Sequence, residues 1–398
     1  MVKRALTDID VKNKKVLVRV DFNVPIDQGI DIVKDYDHRL RSTLPTIEYL
    51  IGQSSKVILC SHLGRPNGQI VENLRLAPIG DRLSELLKLP VTSLEDCVGT
   101  EVHSRVDNMD FGDVILLENL RFHLGEEKND PDFAKQLSGI ADIFIMDAFG
   151  VCHRPHASVV GVTEYIPSAM GVLVQKEIEA MTQALDNPKQ PLAVLMGGAK
   201  VSDKILVLEH LLDRLSQLLI GGGMAVTFLR AAGYGTGASK VEEDRLHFAQ
   251  SILEEAQTRG IAVHLPQDVV IANKFDNNPD EIRTVPVNKI PDDWFVMDIG
   301  PSSAQEFTQS LEQCKTIIWN GPMGVFEMDN FSHGTRSVGK AISELPDVTT
   351  VVGGGSTAEA AEALGIIDKL THVSTGGGAS LEFLEGKELP GIAALPDR

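Results

Sequence analysis

Lys200 and Lys204 follow two glycines in LAVLMGGAKVSDK (192–204), and three other β-rich runs also end in glycines: LLIGGGMAVTF (218–228), TTVVGGGSTAEA (349–360) and THVSTGGGASLEF (371–383). Bare backbone amides at a strand-to-helix junction can approach an anion closely, and each helix N-terminus adds roughly half a positive charge. Lys200 and Lys204 are four apart and are expected on one face of the helix that begins after GGA. Solvation, or neutralisation by Asp203, is the plainer reading of a lysine pair; beside glycines and a helix end, a phosphate is the better partner. This half of the chain reads as a polyphosphate holder.

The first half carries a different chemistry. VLVRV leads into DFNVP (16–25), KVILC into SHLGRP (56–66), VILLENL into RFH (114–123), and ADIFIMDAF into GVCHRPHAS (141–158). Asp21, Asn23, Arg39, His62, Arg65, Arg121 and Arg154 are expected to converge at one sheet edge, because ligands of parallel α/β sheets bind beyond the carboxyl ends of the strands. One such loop could be an ordinary turn. Four with the same chemistry are a set, and guanidinium forks match carboxylate and phosphate oxygens bidentately.

Other patterns carry less. Gly353, Gly355 and Ala358 satisfy GxGxxA, yet around position 373 the chain reads HVSTGG, where a dinucleotide site would place an acid. The Walker pattern GxxxxGK[ST] is absent from the sequence. WNGPMGVFE (319–327) can be a core turn or an apolar slot for a base, with Glu327 on a sugar hydroxyl. His153 and His156 can be a base, a metal pair, an anion contact or loop packing.

Strands and helices must alternate to position these loops, and they do: helical patterns such as LRLAPIGDRLSELLKL (74–89) fall between the β-rich runs. A chain of 398 residues exceeds one usual core, so two domains are expected. Val174, Ile178, Met181 and Leu185 are spaced 4, 3 and 4, and Asp186–Asn187–Pro188 stops the helix they define. That helix is the expected hinge element. Hydrophobic content of 43% and charged content of 23% are those of an ordinary soluble protein. The start, MVKRALTDIDVKNKK, lacks an apolar h-region, no run reaches bilayer length, and Cys60, Cys97, Cys152 and Cys314 form no CxxC pair. A cytoplasmic protein with four structural thiols is expected. A net charge of −19 disfavours nucleic acid and anionic membrane as partners. It does not exclude small phosphorylated ligands, since surface charge is screened beyond about 8 Å.

The stretches RVDFNVP, RSTLPTI, SHLGRP, ENLRFH, GGAKVSDK, IGGGMA, WNGPMGVFE and STGGGASLEFLEGKELPG stand in the order found in phosphoglycerate kinases, and the chain resembles that family from end to end. The resemblance implies an α/β fold of two doubly wound, Rossmann-like parallel-sheet domains joined by a hinge helix, near 1–170 and 171–375, with 376–398 packing back on the first. It implies reversible phosphoryl transfer between 1,3-bisphosphoglycerate and ADP, giving 3-phosphoglycerate and ATP, with closure of the two domains. Carried over by position, Asp21, Phe22, Asn23, Arg39, His62, Leu63, Gly64, Arg65, Arg121 and Arg154 would hold the triose. Lys204, Asn320, Pro322, Glu327, Gly353, Gly354, Gly355 and Ser356 would hold the nucleotide. Lys200 and Arg39 would act on the moving phosphoryl group. A monomer is expected.

Ser356 departs from the family, most of whose members place a metal-positioning aspartate after these glycines. Mg²⁺ is then expected to rest mainly on nucleotide phosphates and water, with Asp203 as a carboxylate ligand. One rival, a two-lobed anion-binding protein, is disfavoured by Lys200 and the intact basic set; a second, another acyl-phosphate kinase, would be exposed by activity with acetyl phosphate but none with 1,3-bisphosphoglycerate.

Overall fold

The structure is a computed structural model, and it describes residues 3–24 and 37–398. Its contacts divide the chain into two compact units: 1–178 together with 388–398, and 179–387. No helix among the described residues is long and apolar enough to cross a membrane.

The first unit is built on six strands: β1 (Lys15–Arg19), β2 (Lys56–Cys60), β3 (Val91–Ser93), β4 (Val114–Leu116), β5 (Ile143–Met146) and β6 (Ser168–Met170). They are ordered β3-β4-β2-β1-β5-β6 and every pairing is parallel. Continuous apolar runs such as VILC and IFIM suit strands covered on both faces, and β5 is buried along its whole length. Helices α1 (His38–Gly52), α2 (Ala77–Leu87), α3 (Thr100–Asp107) and α4 (Pro131–Ser138) form the crossovers. The strand order reverses between β1 and β5, which makes that point the natural crevice. The chain end lies along this unit: Lys3 Nζ donates to the carbonyls of Ala393 (3.2 Å) and Leu395 (2.8 Å), and Gly391 N donates to Cys152 O at 2.8 Å.

The second unit repeats the plan. β7 (Leu192–Met196), β8 (Gln217–Ile220), β9 (Ala262–His264), β13 (Thr316–Asn320), β14 (Thr349–Gly353) and β15 (His372–Val373) form a parallel sheet ordered β15-β14-β13-β7-β8-β9. Its reversal point lies between β7 and β13. A smaller antiparallel sheet, β11-β10-β12, is made of β10 (Asp268–Ala272), β11 (Ile282–Pro286) and β12 (Phe295–Ile299). Trp319, Met323, Phe307 and Ile317 centre the core around the large sheet. The two sheets of parallel strands with flanking helices are the expected α/β fold.

The helix read from Val174, Ile178, Met181 and Leu185 is α5 (Val172–Asp186), which ends at the expected Asp186. Val174, Met181 and Leu185 are buried and Ile178 is half-buried. The division between the two units falls within it. Its first turn is tied to the first unit by side chains: Asp147 Oδ1 accepts from Leu173 N (2.9 Å) and Val174 N (3.4 Å), and Thr46 Oγ1 accepts from Val172 N (2.9 Å). These bonds satisfy amides that a helix start leaves open. Gly171 permits the approach, because a Cβ there would lie 2.2 Å from Asp147 Oδ1.

Asp147 is fully buried, and burial pushes its pKa up to about 7. A carboxyl whose folded pKa lies above its unfolded value stabilises the fold at low pH, and that contribution fades as pH rises toward the folded pKa. Asp147→Asn removes this loss. Relative to wild type, the variant is expected to gain about 2–3 kcal/mol of unfolding free energy between pH 5 and pH 8. Urea denaturation of both proteins at the two pH values measures the gain, and a pH-independent difference would contradict it.

Candidate functional site

Because β4, β2, β1 and β5 are adjacent and parallel, their four following loops reach the same edge of the first unit. Arg39, in the first turn of α1, forms an ion pair with Asp21, which follows β1. Asn23 Oδ1 accepts from Gly64 N at 2.8 Å, and Arg121 donates from Nη1 to Gly64 O at 2.7 Å. The loops after β1, β2 and β4 are therefore joined at Gly64, whose φ of 62° suits glycine. Asn119 locks the same region: its Oδ1 accepts from Leu63 N and Arg121 N, and its Nδ2 donates to Leu63 O.

His62 is buried, and Arg19 Nη2 lies 3.1 Å from its Nδ1. A guanidinium nitrogen can only donate, so Nδ1 accepts and the ring proton sits on Nε2. Burial, followed by the charges of Arg19, Arg121 and Arg39, holds the His62 pKa well below the usual histidine range. His156 is pushed down to about 3 by burial and by Arg121, Arg19 and Arg154. Arg121 is lowered by burial and by Arg154 among its neighbours, although Glu127 lies 3.1 Å from its Nε. Both rings are thus neutral at pH 7, surrounded by guanidiniums. This is a region short of negative charge.

The structure brings together Asp21, Asn23, Arg39, His62, Gly64 and Arg121, with Arg154 near enough to act on His156 and Arg121. Arg65 is exposed and has no ion-pair partner among the described residues. Phe22 and Leu63 turn their side chains into the apolar core, so only their backbones face the loops. Arg19, Asn119 and Glu126 were not legible as site residues. Glu126 is fully buried and accepts from Ser158 Oγ (2.6 Å) and Ser158 N (2.9 Å), while Arg19 Nε donates to the same hydroxyl at 2.8 Å. The only sequence signal for Arg19 was a charge at the end of an apolar strand.

In the second unit the segment after β7 does not form the expected helix. Residues 197–204 are irregular, and the helix α6 (Ile205–Leu211) begins only after Lys204. Gly198 has φ 91°, and Glu242 takes the amides of Val201 and Ser202 and accepts from Ser202 Oγ (2.6 Å), satisfying them without a helical turn. Lys200 and Lys204 therefore part company. Lys200 is exposed, whereas Lys204 is partly buried against Asn320 Oδ1. Burial brings the Lys204 pKa down to about 8, against the opposing pull of Asp203 and Glu385.

The other glycine junctions do open helices. Helices α7 (Gly222–Ala231), α8 (Gly355–Ala363) and α9 (Gly378–Leu384) start without a side-chain hydrogen bond at the N-cap. Backbone carbonyls take some of the first-turn amides, Gly222 N donating to Met323 O (2.8 Å), Met224 N to Gly198 O (2.9 Å) and Ala379 N to Gly376 O (2.9 Å), and the start of α8 is the most open of the three. Gly354 caps α8 with φ 93°, a conformation that favours glycine. Asn320 Nδ2, close to Gly353 and Gly354, is buried without a partner among the described residues. An unpaired buried donor costs free energy unless a ligand accepts from it.

Beside these amides lies a cavity of ≈ 560 Å³, with Gly198, Gly222, Pro322, Glu327 and Ser356 in its lining. Its far wall is apolar: Val226, Leu229, Val269, Phe275, Phe295 and Val296. The motif WNGPMGVFE is split between its two readings. Trp319 and Met323 are fully buried in the core, while Pro322, Gly324, Val325 and Glu327 line the cavity. Asp298 aligns this loop: it is buried, bridges to Gly324, and its Oδ2 accepts from Gly334 N at 2.7 Å. The wall from 265 to 299 was missed in the sequence, although its runs DVVIA and FVMDI carry the signal of paired strands.

Magnesium takes oxygen ligands and is held in nucleotide sites by one or two carboxylates together with phosphates. Asp203 is exposed and close enough for its charge to act on Lys204, and the Ser356 hydroxyl is exposed in the cavity lining. A carboxylate and a hydroxyl are oxygen donors of the kind such an ion takes.

The family model for phosphoglycerate kinase matches residues 6–387. Among curated relatives, the phosphoglycerate kinase of Thermosynechococcus vestitus is 51% identical over 395 residues, covering 98% of both chains. That of Moorella thermoacetica is 50% identical over 398 residues, with both chains covered completely. The solved phosphoglycerate kinase of Coxiella burnetii superposes with a TM-score of 0.86 at 38% identity, covering 98% of each chain. Two parallel-sheet units of this topology, a basic strand-end edge on one, glycine-capped helix starts beside an apolar cavity on the other, and relatives at half identity over the full length lead to one statement: the chain belongs to the phosphoglycerate kinase family.

Proposed function

We propose that the basic edge of the first unit holds the phosphoglycerate and the glycine-capped helix ends of the second hold ADP or ATP, in the phosphoryl transfer that this family performs. The observation that carries the reading is the sorting of chemistry by unit: guanidiniums and neutral histidines on one, open amides beside an apolar slot on the other. Asp21, Asn23, Arg39, His62, Arg65, Arg121 and Arg154 bind the triose, His62 donating from Nε2 and the arginines meeting carboxylate and phosphate oxygens. Phe22, Leu63 and Gly64 contribute backbone groups. Lys204, Asn320 and the Gly353–Ser356 turn take the nucleotide phosphates, and Pro322 and Glu327 flank base and ribose.

Phosphoryl transfer calls for little covalent help, so positioning and charge stabilisation carry the rate. Lys200, exposed and without an ion-pair partner among the described residues, is the cation able to follow the transferred group, with Arg39 as its counterpart on the triose side. Asp203 would hold Mg²⁺, which when bound neutralises charge on the nucleotide phosphates. One chain carries both ligand sets, which supports a monomer as the working unit. Four buried free cysteines suit a reducing compartment such as the cytoplasm.

Three outcomes are expected. In a coupled assay of ATP formation from ADP and 1,3-bisphosphoglycerate, Lys200→Ala lowers turnover roughly 10³-fold or more while ADP still binds; a loss below tenfold removes Lys200 from the transfer step. Lys204 is charged below its pKa of about 8 and neutral above it. ADP affinity measured by calorimetry should therefore fall as pH rises through 8 in the wild type but not in Lys204→Arg, since arginine stays charged. We also infer that the two units close during turnover, over α5. Small-angle scattering with both substrates bound should give a smaller radius of gyration than either binary complex, and an unchanged radius would exclude closure.

A further inference from the structure

We propose that Asp96, Cys97 and His123, in the first unit and outside the basic edge, form a binding site for a borderline-soft divalent cation of the zinc and cobalt type. A carboxylate oxygen, the thiol sulfur and an imidazole nitrogen of these residues all lie within 4.8 Å of one another. The three ligands of one tetrahedral zinc, bonded at about 2.0–2.3 Å, stand roughly 3–4 Å apart, so modest side-chain adjustment closes the set. Among the described residues no other group of three histidine, cysteine or carboxylate side chains meets this condition.

The frame around the three is rigid. Asp96 and Cys97 follow β3, where Asp96 O accepts from Glu118 N and Asp96 Oδ1 accepts from Cys97 N at 2.6 Å. His123 follows the turn that carries Arg121, its backbone amide donating to Leu120 O at 3.1 Å, and its ring stacks on Phe133 with centroids 5.1 Å apart. Two segments distant in sequence are thus held face to face, with His123 Nε2 2.7 Å from Asp96 Oδ1. Cys97 is fully buried while Asp96 is exposed, so a cation between them would have sulfur on its protein side and water within reach on the other. Asp96 also lines a cavity of ≈ 420 Å³ that includes Glu95 and Glu101, opposed by the single cation Arg105.

The donor set selects the metal. Thiolate with imidazole favours zinc, cobalt or cadmium over magnesium and calcium, which take oxygen ligands. Coordination replaces the Asp96–His123 hydrogen bond and expels the thiol proton to solvent. The site thereby differs in chemistry from the Mg²⁺ that accompanies the nucleotide.

The test is titration of cobalt(II) into the full-length, reduced, chelator-treated protein without nucleotide. One equivalent should give thiolate-to-cobalt charge-transfer absorption and the ligand-field bands of a tetrahedral ion, displaced by zinc(II) but not by magnesium(II). Cys97→Ser should abolish the charge-transfer band. His123→Gln, at a half-buried position, should weaken cobalt binding at least tenfold while leaving the circular dichroism unchanged, so the test does not depend on the folding of the cysteine variant. If no charge-transfer band appears at equimolar metal, or if it persists at equal affinity in His123→Gln, the cluster is only an ion pair beside a buried thiol and the proposal fails.

Discussion

All strands within each six-stranded sheet run in the same direction, and this one constraint governs where the chemistry of the molecule can stand. A parallel strand ends where its neighbours end, so the residues that follow four adjacent strands arrive at one edge whatever their separation in sequence. Asp21, His62, Arg121 and Arg154 are separated by tens of residues along the chain and share an edge for this reason. In the second unit the same geometry delivers the turns after β7, β13 and β14 side by side.

Direction alone does not shape a loop. Each of these turns is held by a buried or half-buried polar side chain that occupies backbone groups a helix or strand would otherwise use. Asn119 braces the turns after β2 and β4, Glu242 holds the lysine segment, Asp298 holds the turn after β13, and Asp147 holds the start of α5. Such anchors define geometry because an unpaired buried amide costs more than a hydrogen bond gains. Asp147 and Asp298 illustrate the associated strain on ionisation: burial raises both pKa values to about 7. The loops are consequently rigid frames from which exposed cations such as Lys200 and Arg65 project.

Charge is sorted as carefully as position. A chain with net charge −19 gathers five arginines, Arg19, Arg39, Arg65, Arg121 and Arg154, in or beside four strand-end loops. Burial suppresses the protonation of His62 and His156 among them. Neutral imidazoles keep a hydrogen-bond donor in the cluster without adding to the repulsion between guanidiniums. The glycine-capped helix ends would meet an anion differently, through amide dipoles that carry no side-chain entropy.

Much of this was legible in the amino-acid order. Apolar runs ending in arginine-bearing or glycine-bearing turns specify strands and their parallel alternation with helices, because those properties depend on residues adjacent in the chain. The helix ending at Asp186 was readable for the same reason. What tertiary structure alone decided was which distant atoms meet. Glu242 converts an expected helix at Lys200 into an irregular loop, Trp319 and Met323 turn inward while Glu327 stays at the cavity, and the wall from Val269 to Phe295 completes the apolar slot. Asp96–Cys97 and His123, 26 residues apart, come together only because β3 and β4 are neighbours. Periodicity and composition report local preference; burial and the pairing of isolated polar atoms are settled only once the chain has closed on itself.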